Sequence, residues 1–343
     1  RIPSLGTPKY TKKQEGGNIF CNDPAVKRNW GLCGTGGLAD ISAERAWGIT
    51  QGSKDVVVAI IDTGVDATHP ELKDNLWINP KPSVKNSRNY SSIFASECAD
   101  DTHGCNFITN TGDLTDNHGH GTHIAGIVHQ VAPKVTLMIL KYYDPLSNGA
   151  DNLKNTVRAI DYAIDHGAQI INYSGGGLDF SQAEHDAIKR ARDKGILFVA
   201  AAGNEHSNSD QAHYYPADYD LDNIISVTAI NPEAKVLSSS NYGTESVHLA
   251  APGEEINSTL PGGRHGKMTG TSQATAYVTG VAALVKSVHS DWNYQQIRQQ
   301  IIGTADARVS MLGKAKTAGI LNSWAALAVH PSGTVSGIKV DSS

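Results

Sequence analysis

The chain has 343 residues with 39% hydrophobic and 18% charged side chains, which is typical of a globular protein that buries a large core. Its net charge of −5 gives no sign of the concentrated basic face of nucleic-acid binders, so we expect no nucleic-acid partner. The longest apolar run, 196–202, is far shorter than the roughly 18 residues of a membrane span, which argues against a membrane-embedded protein.

The N-terminal segment is polar and contains Pro, Gly and Lys, and we interpret residues 1–40 as an arm. The four cysteines form two local couples, Cys21 with Cys33 and Cys98 with Cys105. We expect two disulfides, and therefore a secreted or extracytoplasmic protein. Four unrelated thiols or a zinc site are the alternatives, although the sequence has no CxxC pair. No signal peptide is visible, so an exported chain would be a processed form.

From about residue 41 to 329, short β-branched runs alternate with segments of helical periodicity. Five of these runs are apolar on both faces, as buried parallel strands are: 56–61, 135–140, 169–173, 196–201 and 224–228. Ser181 with Glu184 predicts a capping box at the start of a helix, and 271–288 predicts a buried helix. The alternation predicts a three-layer α/β/α domain over 41–329 with a central, mostly parallel sheet. Residues 79–117 are predicted to form an irregular insertion, and the tail 330–343 is unassigned.

Three side chains suited to catalysis lie where predicted strands end or helices begin, the edge at which function gathers in α/β sheets. Asp62 ends an apolar strand, His120 lies in a Gly-punctuated turn, and Ser272 opens the buried helix. Taken singly, they also fit a turn residue, a surface histidine and an ordinary helix cap. Together they supply acyl-transfer chemistry, because serine needs an imidazole to remove its proton and the imidazole needs a carboxylate to orient it.

The segments 62–64 (DTG), 120–123 (HGTH) and 270–274 (GTSQA) resemble the three signatures of subtilisin-like serine peptidases, in the order Asp, His, Ser known for that family. The resemblance extends over about residues 40–329 and implies a subtilisin-like fold. It implies that Ser272 is the nucleophile, His120 the general base and acid, and Asp62 the orienting carboxylate. It also implies protein or peptide substrates and a propeptide during maturation, and we expect a monomer.

The same resemblance implies where the substrate binds. Asn204, after the predicted strand 196–201, resembles the family's oxyanion-hole asparagine. Segment 172–177 (NYSGGG) resembles the edge to which an extended peptide adds as a strand, although a Gly-rich turn is the simpler interpretation without the family. Tyr214 aligns with the pocket floor and predicts a preference for small P1 residues. The two walls of the P1 pocket are expected to be formed by Ser174, Gly175, Gly176, Ala202 and Gly203.

The chemistry implied by the resemblance requires no cofactor, but structural calcium is left open. The predicted helix after His120 is too short to hold the calcium loop found in many members of the family. Asp113 and Asp116, with Asn106 or Asn110, precede His120 and would offer the oxygen ligands that Ca²⁺ prefers. A solvated acidic loop is the alternative interpretation of these two residues.

Two other functions are left open by the sequence. The cleft could be intact but covered, for example by residues 1–20, which would make the protein a binding protein on the same fold. Alternatively, a cluster of histidines could hold the metal of a metallohydrolase, although the sequence has no HExxH motif. The histidines concerned are His118, His120, His123 and His129.

Overall fold

The strands of the protein form one large sheet and one hairpin in the computed structural model, which describes residues 21, 28–33, 35–82 and 98–328. In chain order the strands are β1 (Val57–Asp62), β2 (Gly104–Asn106), β3 (Thr136–Lys141), β4 (Ile170–Tyr173), β5 (Leu197–Ala201), β6 (Ile224–Ile230), β7 (Leu249–Pro252), β8 (Ile256–Leu260), β9 (Arg264–Met268), β10 (Asp306–Ala307) and β11 (Gly319–Ile320). The large sheet has the order β10-β11-β7-β6-β5-β4-β1-β3-β2, and β8 pairs with β9. Only the β10–β11 pair of the large sheet is antiparallel within these residues.

Helices cover both faces of the large sheet. They are α1 (Ala43–Trp47), α2 (His120–Val131), α3 (Gly149–Asp165), α4 (Gln182–Asp193), α5 (Thr271–Val288), α6 (Tyr294–Gly303) and α7 (Ser323–Ala328), with 3₁₀ turns at Lys73–Asn75 and Val309–Met311. None of the helices in the described part of the chain combines the length and apolar character needed to cross a membrane.

The alternation of side chains along β1 explains why the sheet needs cover on both faces. Val58 and Ile60 join a core with α2, α5, α6 and α7, whereas Ala59 and Ile61 join a second core with α3 and α4. All four side chains are completely buried. Successive residues of a strand point to opposite faces, so an apolar run without polar interruptions must lie between two layers. The predicted three-layer α/β/α architecture is therefore confirmed.

Helix α5 is deeply buried. Every residue from 271 to 285 is buried. The helix contacts β4, β5, β6 and β7 as well as α2, so it lies across the middle of one sheet face. The predicted limits of this helix, 271–288, are those of the structure.

Three details differ from the sequence predictions. The insertion 79–117 contains β2 at the sheet edge, although residues 83–97 lie outside the described part. Strands β7 to β11 are additional to those predicted. The predicted capping box is only half formed: Ser181 Oγ accepts a hydrogen bond from the Glu184 N–H at 3.3 Å, but the Glu184 carboxyl turns inward to Tyr219.

The described part of the predicted arm packs onto the helices. Asn29 is completely buried, and its side-chain amide donates a 2.7 Å hydrogen bond to Gln130 of α2. The hydroxyl of Tyr277 in α5 donates to Asn29 Oδ1. Leu32 is also completely buried. Residues 1–20 and the tail 330–343 lie outside the described residues.

Candidate active site

Asp62 is the last residue of β1, which lies between β3 and β4 and is parallel to both. Its side chain is 4% exposed, and Oδ1 accepts a 2.7 Å hydrogen bond from the Thr63 N–H. The carboxyl end of a buried parallel strand thus delivers a carboxylate to the sheet edge where ligands of α/β proteins bind.

His120 begins α2 and faces this carboxylate. Its Nδ1 lies 2.8 Å from Oδ1 and 3.0 Å from Oδ2 of Asp62. Because a carboxylate only accepts, Nδ1 carries the proton and Nε2 of the neutral ring is an acceptor. Burial by itself lowers the pKa of His120, but the charge and hydrogen bond of Asp62, together with the charge of Asp116, raise it above its usual value.

Asp116 joins the segments that carry these two residues. Its Oδ1 accepts from the Thr63 hydroxyl at 2.9 Å and from the Gly119 N–H at 2.8 Å. Its Oδ2 accepts from the backbone and hydroxyl of Thr122 at 2.9 and 2.7 Å. The Thr63 hydroxyl in turn accepts from the Gly121 N–H at 2.8 Å. Asp116 therefore caps α2 and ties it to the end of β1.

These hydrogen bonds of Asp116, which we call the brace, were not predicted from the sequence, where Asp116 was considered as a calcium ligand. The signal that could have revealed it is an acid shortly before a helix that starts after Gly119, because such an acid satisfies the unpaired N–H groups of the first turn. The hydrogen bond between Asp116 and Thr63 depends on how β1 and α2 pack together, and no local sequence pattern predicts that packing.

Ser272 is the second residue of α5 and is 9% exposed. Its hydroxyl donates to the backbone carbonyl of Ser174 at 2.9 Å, and the Ser174 hydroxyl donates back to the Ser272 carbonyl at 3.0 Å. Among the described residues, no hydrogen bond joins Ser272 to His120 in this conformation. The structure thus pairs Asp62 with His120, while the Ser272 hydroxyl points to the backbone carbonyl of Ser174.

Asn204 follows β5 and lies beside the start of α5. Its Oδ1 accepts from the N–H of Thr271 at 3.0 Å and from the Thr271 hydroxyl at 3.2 Å. Two donors on one atom identify it as the oxygen, so Nδ2 is the donor at the other side of the amide. Asn204 is exposed, and no residue in the described part of the chain accepts a hydrogen bond from Nδ2.

The predicted substrate-binding residues lie on two walls with the ring of Tyr214 between them. Gly176 has φ +154°, and a methyl group there would come within 2.5 Å of Tyr214 Cε1. Gly203 has φ +101°, and a methyl group there would come within 2.9 Å of Tyr214 Cδ2. These atoms belong to opposite edges of the ring, so Tyr214 spans the gap between the glycines. Ser174 and Ala202 adjoin the same walls and are buried.

A methyl group on Gly175 would come within 2.5 Å of the hydroxyl oxygen of Tyr142. This position on the first wall therefore has no room for a side chain unless Tyr142 moves.

The candidate calcium ligands do not converge. Asp116 is engaged in the brace, and Asp113 is exposed and accepts from the hydroxyl and N–H of Thr115. The ammonium group of Lys141 donates to the Thr115 carbonyl and lowers the pKa of Asp113, after the larger effect of the Thr115 hydrogen bonds. Asp113 therefore already has the positive charge of Lys141 nearby. In the described residues there is no group of three or more His, Cys, Asp or Glu arranged to hold a metal.

The histidines near the site also point in different directions. His123 is completely buried, and its Nε2 lies 2.9 and 3.0 Å from the carbonyls of Ile256 and Gly266. Burial lowers the pKa of His123 to about 4, so its ring is neutral and Nε2 carries the proton. His118 is exposed, with its ring centre 6.1 Å from that of His120. This arrangement does not favour the metallohydrolase alternative.

A cleft of about 410 Å³ adjoins the site on the side of Thr63 and His118. Its charged lining residues are Asp113, Lys141 and Asp144 together with His118, so it carries both signs of charge.

Both predicted disulfides are formed, Cys21–Cys33 and Cys98–Cys105, and the second lies in the segment that includes β2. The predictions of these two pairings are confirmed.

Comparison with known proteins places these observations in a family. The model of the subtilase family matches residues 53–323. The thermophilic serine proteinase of Bacillus sp. (strain AK1) is 36% identical over 292 residues, 82% of this chain and 64% of that protein. Subtilisin E of Bacillus subtilis (strain 168) is 34% identical over 279 residues, 78% of this chain and 65% of that protein.

A solved structure described as a lanthipeptide protease shares the fold, with a TM-score of 0.68 over 83% of this chain and 90% of that chain, at 24% identity. The chain spans less than two thirds of the length of the curated relatives just described. The family match covers most of the chain and includes the segments that carry Asp62, His120 and Ser272. This chain is therefore a member of the subtilase family.

Proposed function

We propose that this protein is a serine endopeptidase that hydrolyses peptide bonds through an acyl-enzyme. The observation that carries the proposal is the pairing of His120 Nδ1 with both carboxylate oxygens of buried Asp62. This pairing leaves Nε2 as a base at the edge where α5 presents Ser272. Buried carboxylate, imidazole and serine are the groups that acyl transfer requires, and subtilase membership agrees with them.

In the proposed mechanism, the Ser272 hydroxyl leaves the Ser174 carbonyl and attacks the substrate carbonyl carbon. His120 Nε2 takes the hydroxyl proton, and Asp62 stabilises the resulting imidazolium. The C–N bond then breaks as His120 gives its proton to the leaving amine. Water, deprotonated by His120, releases the acyl group and regenerates Ser272. The chain supplies every group in these steps, so the chemistry needs no cofactor.

The oxyanion of the tetrahedral intermediate is proposed to bind Nδ2 of Asn204 and the N–H of Ser272. Thr271 fixes the Asn204 amide by donating twice to Oδ1, which leaves Nδ2 as the donor that the oxyanion would meet. The Ser272 N–H belongs to the first turn of α5, where the helix itself offers no carbonyl acceptor. Donors fixed in advance stabilise the developing charge without reorganisation during the reaction.

The P1 pocket is proposed to accept small side chains. Ser174, Gly175 and Gly176 form one wall and Ala202 and Gly203 the other. The ring of Tyr214 occupies the space between Gly176 and Gly203, so little room remains for a large P1 side chain. The extended substrate is proposed to add to the Gly-rich wall through its backbone.

The boundaries and setting of the catalytic unit are also proposals. We place the catalytic domain at 41–329, an N-terminal arm at 1–40 and a tail at 330–343. The two disulfides support a secreted or extracytoplasmic location, since such bonds persist in oxidising compartments. Protein substrates, a propeptide during maturation and a monomeric state are proposed from the family, without a nucleic-acid or membrane partner.

Active-site labelling tests the proposed activity. The protein is treated with a serine-directed sulfonyl or phosphonyl fluoride, the adduct is mapped by mass spectrometry, and casein hydrolysis is measured in parallel. We expect one adduct, on Ser272, with loss of hydrolysis, and no adduct in Ser272→Ala. Folded protein without label or turnover contradicts the proposal and favours a binding protein with a covered cleft.

Peptide substrates that differ only at P1 test the pocket. We expect a higher kcat/KM for P1 Ala than for P1 Phe or Leu in the native protein. Tyr214→Gly removes the ring and should raise kcat/KM for the large P1 residues. A native preference for Phe or Leu contradicts the proposed role of Tyr214.

A further inference from the structure

The ring of Tyr214 reaches the gap between the glycine walls because its backbone is held at two points. On one side, Tyr215 exchanges two backbone hydrogen bonds with Gly177, each 2.8 Å long. On the other side, the Tyr214 N–H donates to Oδ2 of Asp218 at 2.7 Å, and the Asp218 N–H donates back to the Tyr214 carbonyl at 3.0 Å. A tyrosine ring can occupy only the few positions that staggered χ1 rotamers allow, so a shift of the Tyr214 backbone moves every position open to the ring.

The Asp218 carboxyl lies behind this segment and not in the cleft. Its side chain is 1% exposed, and His213 Nδ1 is 3.8 Å from Oδ2. The other oxygen, Oδ1, is buried and accepts no hydrogen bond of normal geometry in the described residues, although the Ser209 side chain lies near enough to lower the pKa of Asp218. Burial raises the pKa of Asp218 to about 6, a shift partly opposed by the hydrogen bond from Tyr214. Within the described residues, the hydrogen bond of normal geometry that this carboxyl accepts comes from the Tyr214 N–H.

We propose that Asp218 is the positioning residue that sets P1 selectivity, because its Oδ2 holds the Tyr214 backbone so that the ring stays between Gly176 and Gly203. This inference rests on the proposed endopeptidase function and on the proposed P1 pocket. Asp218 touches no substrate atom; its influence passes through Tyr214. The substrate class it selects is peptides with Gly or Ala at P1.

The alternative role for Asp218 is general support of the fold, and the two roles differ in what they change. Loss of general support lowers stability and slows all substrates alike. Loss of the anchor at Tyr214 lets the ring leave the gap, so large P1 residues gain relative to small ones. The informative quantity is therefore the ratio of kcat/KM for P1 Phe to that for P1 Ala.

The test measures this ratio for two otherwise identical peptide substrates. The variants are Asp218→Ala, which removes the acceptor, Asp218→Asn, which keeps its shape without the charge, and Tyr214→Gly, which marks the fully open pocket. Asp101→Asn is the matched control, since Asp101 is completely buried and accepts a 2.7 Å hydrogen bond from the hydroxyl of Tyr162. Thermal unfolding of each variant is recorded in parallel.

We expect the ratio to rise about tenfold in Asp218→Ala, the scale of one lost hydrogen bond to a charged group, and by less in Asp218→Asn. The double variant with Tyr214→Gly should equal Tyr214→Gly alone, because without the ring there is nothing to position. If Asp218→Ala does not fold, Asp218→Asn and its double variant still give the result.

Three outcomes overturn the inference. A ratio unchanged in both Asp218 variants, while Tyr214→Gly raises it, rejects the role of Asp218 and leaves the proposed function standing. An equal rise in Asp101→Asn assigns the effect to general loosening. No turnover of any peptide by the native protein, together with no label on Ser272, rejects the proposed function and this inference with it.

Discussion

Glu184 offers a test of how a buried acidic side chain makes the free energy of unfolding depend on pH. The residue lies in the first turn of α4, is 4% exposed, and accepts a 2.8 Å hydrogen bond from the Tyr219 hydroxyl. Burial raises the pKa of Glu184 from 4.5 to about 7, despite the opposing effect of this hydrogen bond. The folded state therefore holds the proton more tightly than the unfolded chain does.

The sign of the pH dependence follows from this shift. Below pH 4.5 both states are protonated and Glu184 adds no pH dependence. Between pH 4.5 and about 7 only the unfolded state ionises, so the free energy of unfolding falls as the pH rises. The difference between 4.5 and about 7, at about 1.4 kcal/mol per pH unit, makes the whole loss about 3.5 kcal/mol. Above pH 7 the loss is complete.

Replacing Glu184 by Gln should remove most of this loss, because the amide oxygen still accepts from Tyr219 but never ionises. The free energy of unfolding is measured by guanidinium denaturation at pH 5 and pH 9, in the Ser272→Ala background to prevent self-digestion. We expect Glu184→Gln to be close to its parent at pH 5 and more stable by up to about 3.5 kcal/mol at pH 9.

The control is Glu233→Gln, which removes an exposed carboxylate and should give the same difference at both pH values. A difference between Glu184→Gln and its parent that is equal at pH 5 and pH 9 would refute the reasoning. That result would mean that the carboxyl at this position titrates alike in the folded and unfolded states.

Three further predictions concern the active site. Asn204→Ala should lower kcat by about 10²–10³ with little change in KM, the loss known for the corresponding amide of subtilisin; a change confined to KM would contradict the oxyanion role. Because Asp62 raises the pKa of His120 and catalysis needs the neutral ring, kcat/KM should fall on acidification with a midpoint above 6.5, and a midpoint below 6.5 would argue against this coupling. Hydrogen peroxide should spare activity, since Gln273 follows Ser272, the proposed nucleophile, whereas Gln273→Met should become sensitive; rapid loss in the native protein would disprove this.

The sequence predicted the central strands and the helix α5 because burial on both faces leaves long apolar runs. The five predicted strands lie within two residues of the observed limits. Their ends also identified the positions of Asp62 and Asn204, since the carboxyl ends of parallel strands share one edge of the sheet. The short strands β10 and β11 have two residues each and leave no periodic pattern to detect.

Side-chain destinations were less predictable than elements. Glu184 stands at the spacing of a capping box, yet its carboxyl finds Tyr219 instead of the helix N-terminus. Asp116 has the carboxylate oxygens of a calcium ligand, yet they accept hydrogen bonds from Thr63 and from the start of α2. Tyr219 and Thr63 both lie on segments distant in sequence from the acids they contact, so local spacing does not predict these two contacts.

The deep burial of α5 also bears on when the protein acquires its activity. Ser272 is in place only after α5 has packed against β4 to β7 and α2, elements separated from it by long stretches of chain. Contacts between such distant segments form slowly. Under the proposed function, a nascent or half-folded copy has no nucleophile in position and is inert toward its own chain. Self-digestion of a folding molecule then requires a folded, active copy of the same protein. Production at low concentration, or with Ser272 blocked, should therefore protect the yield.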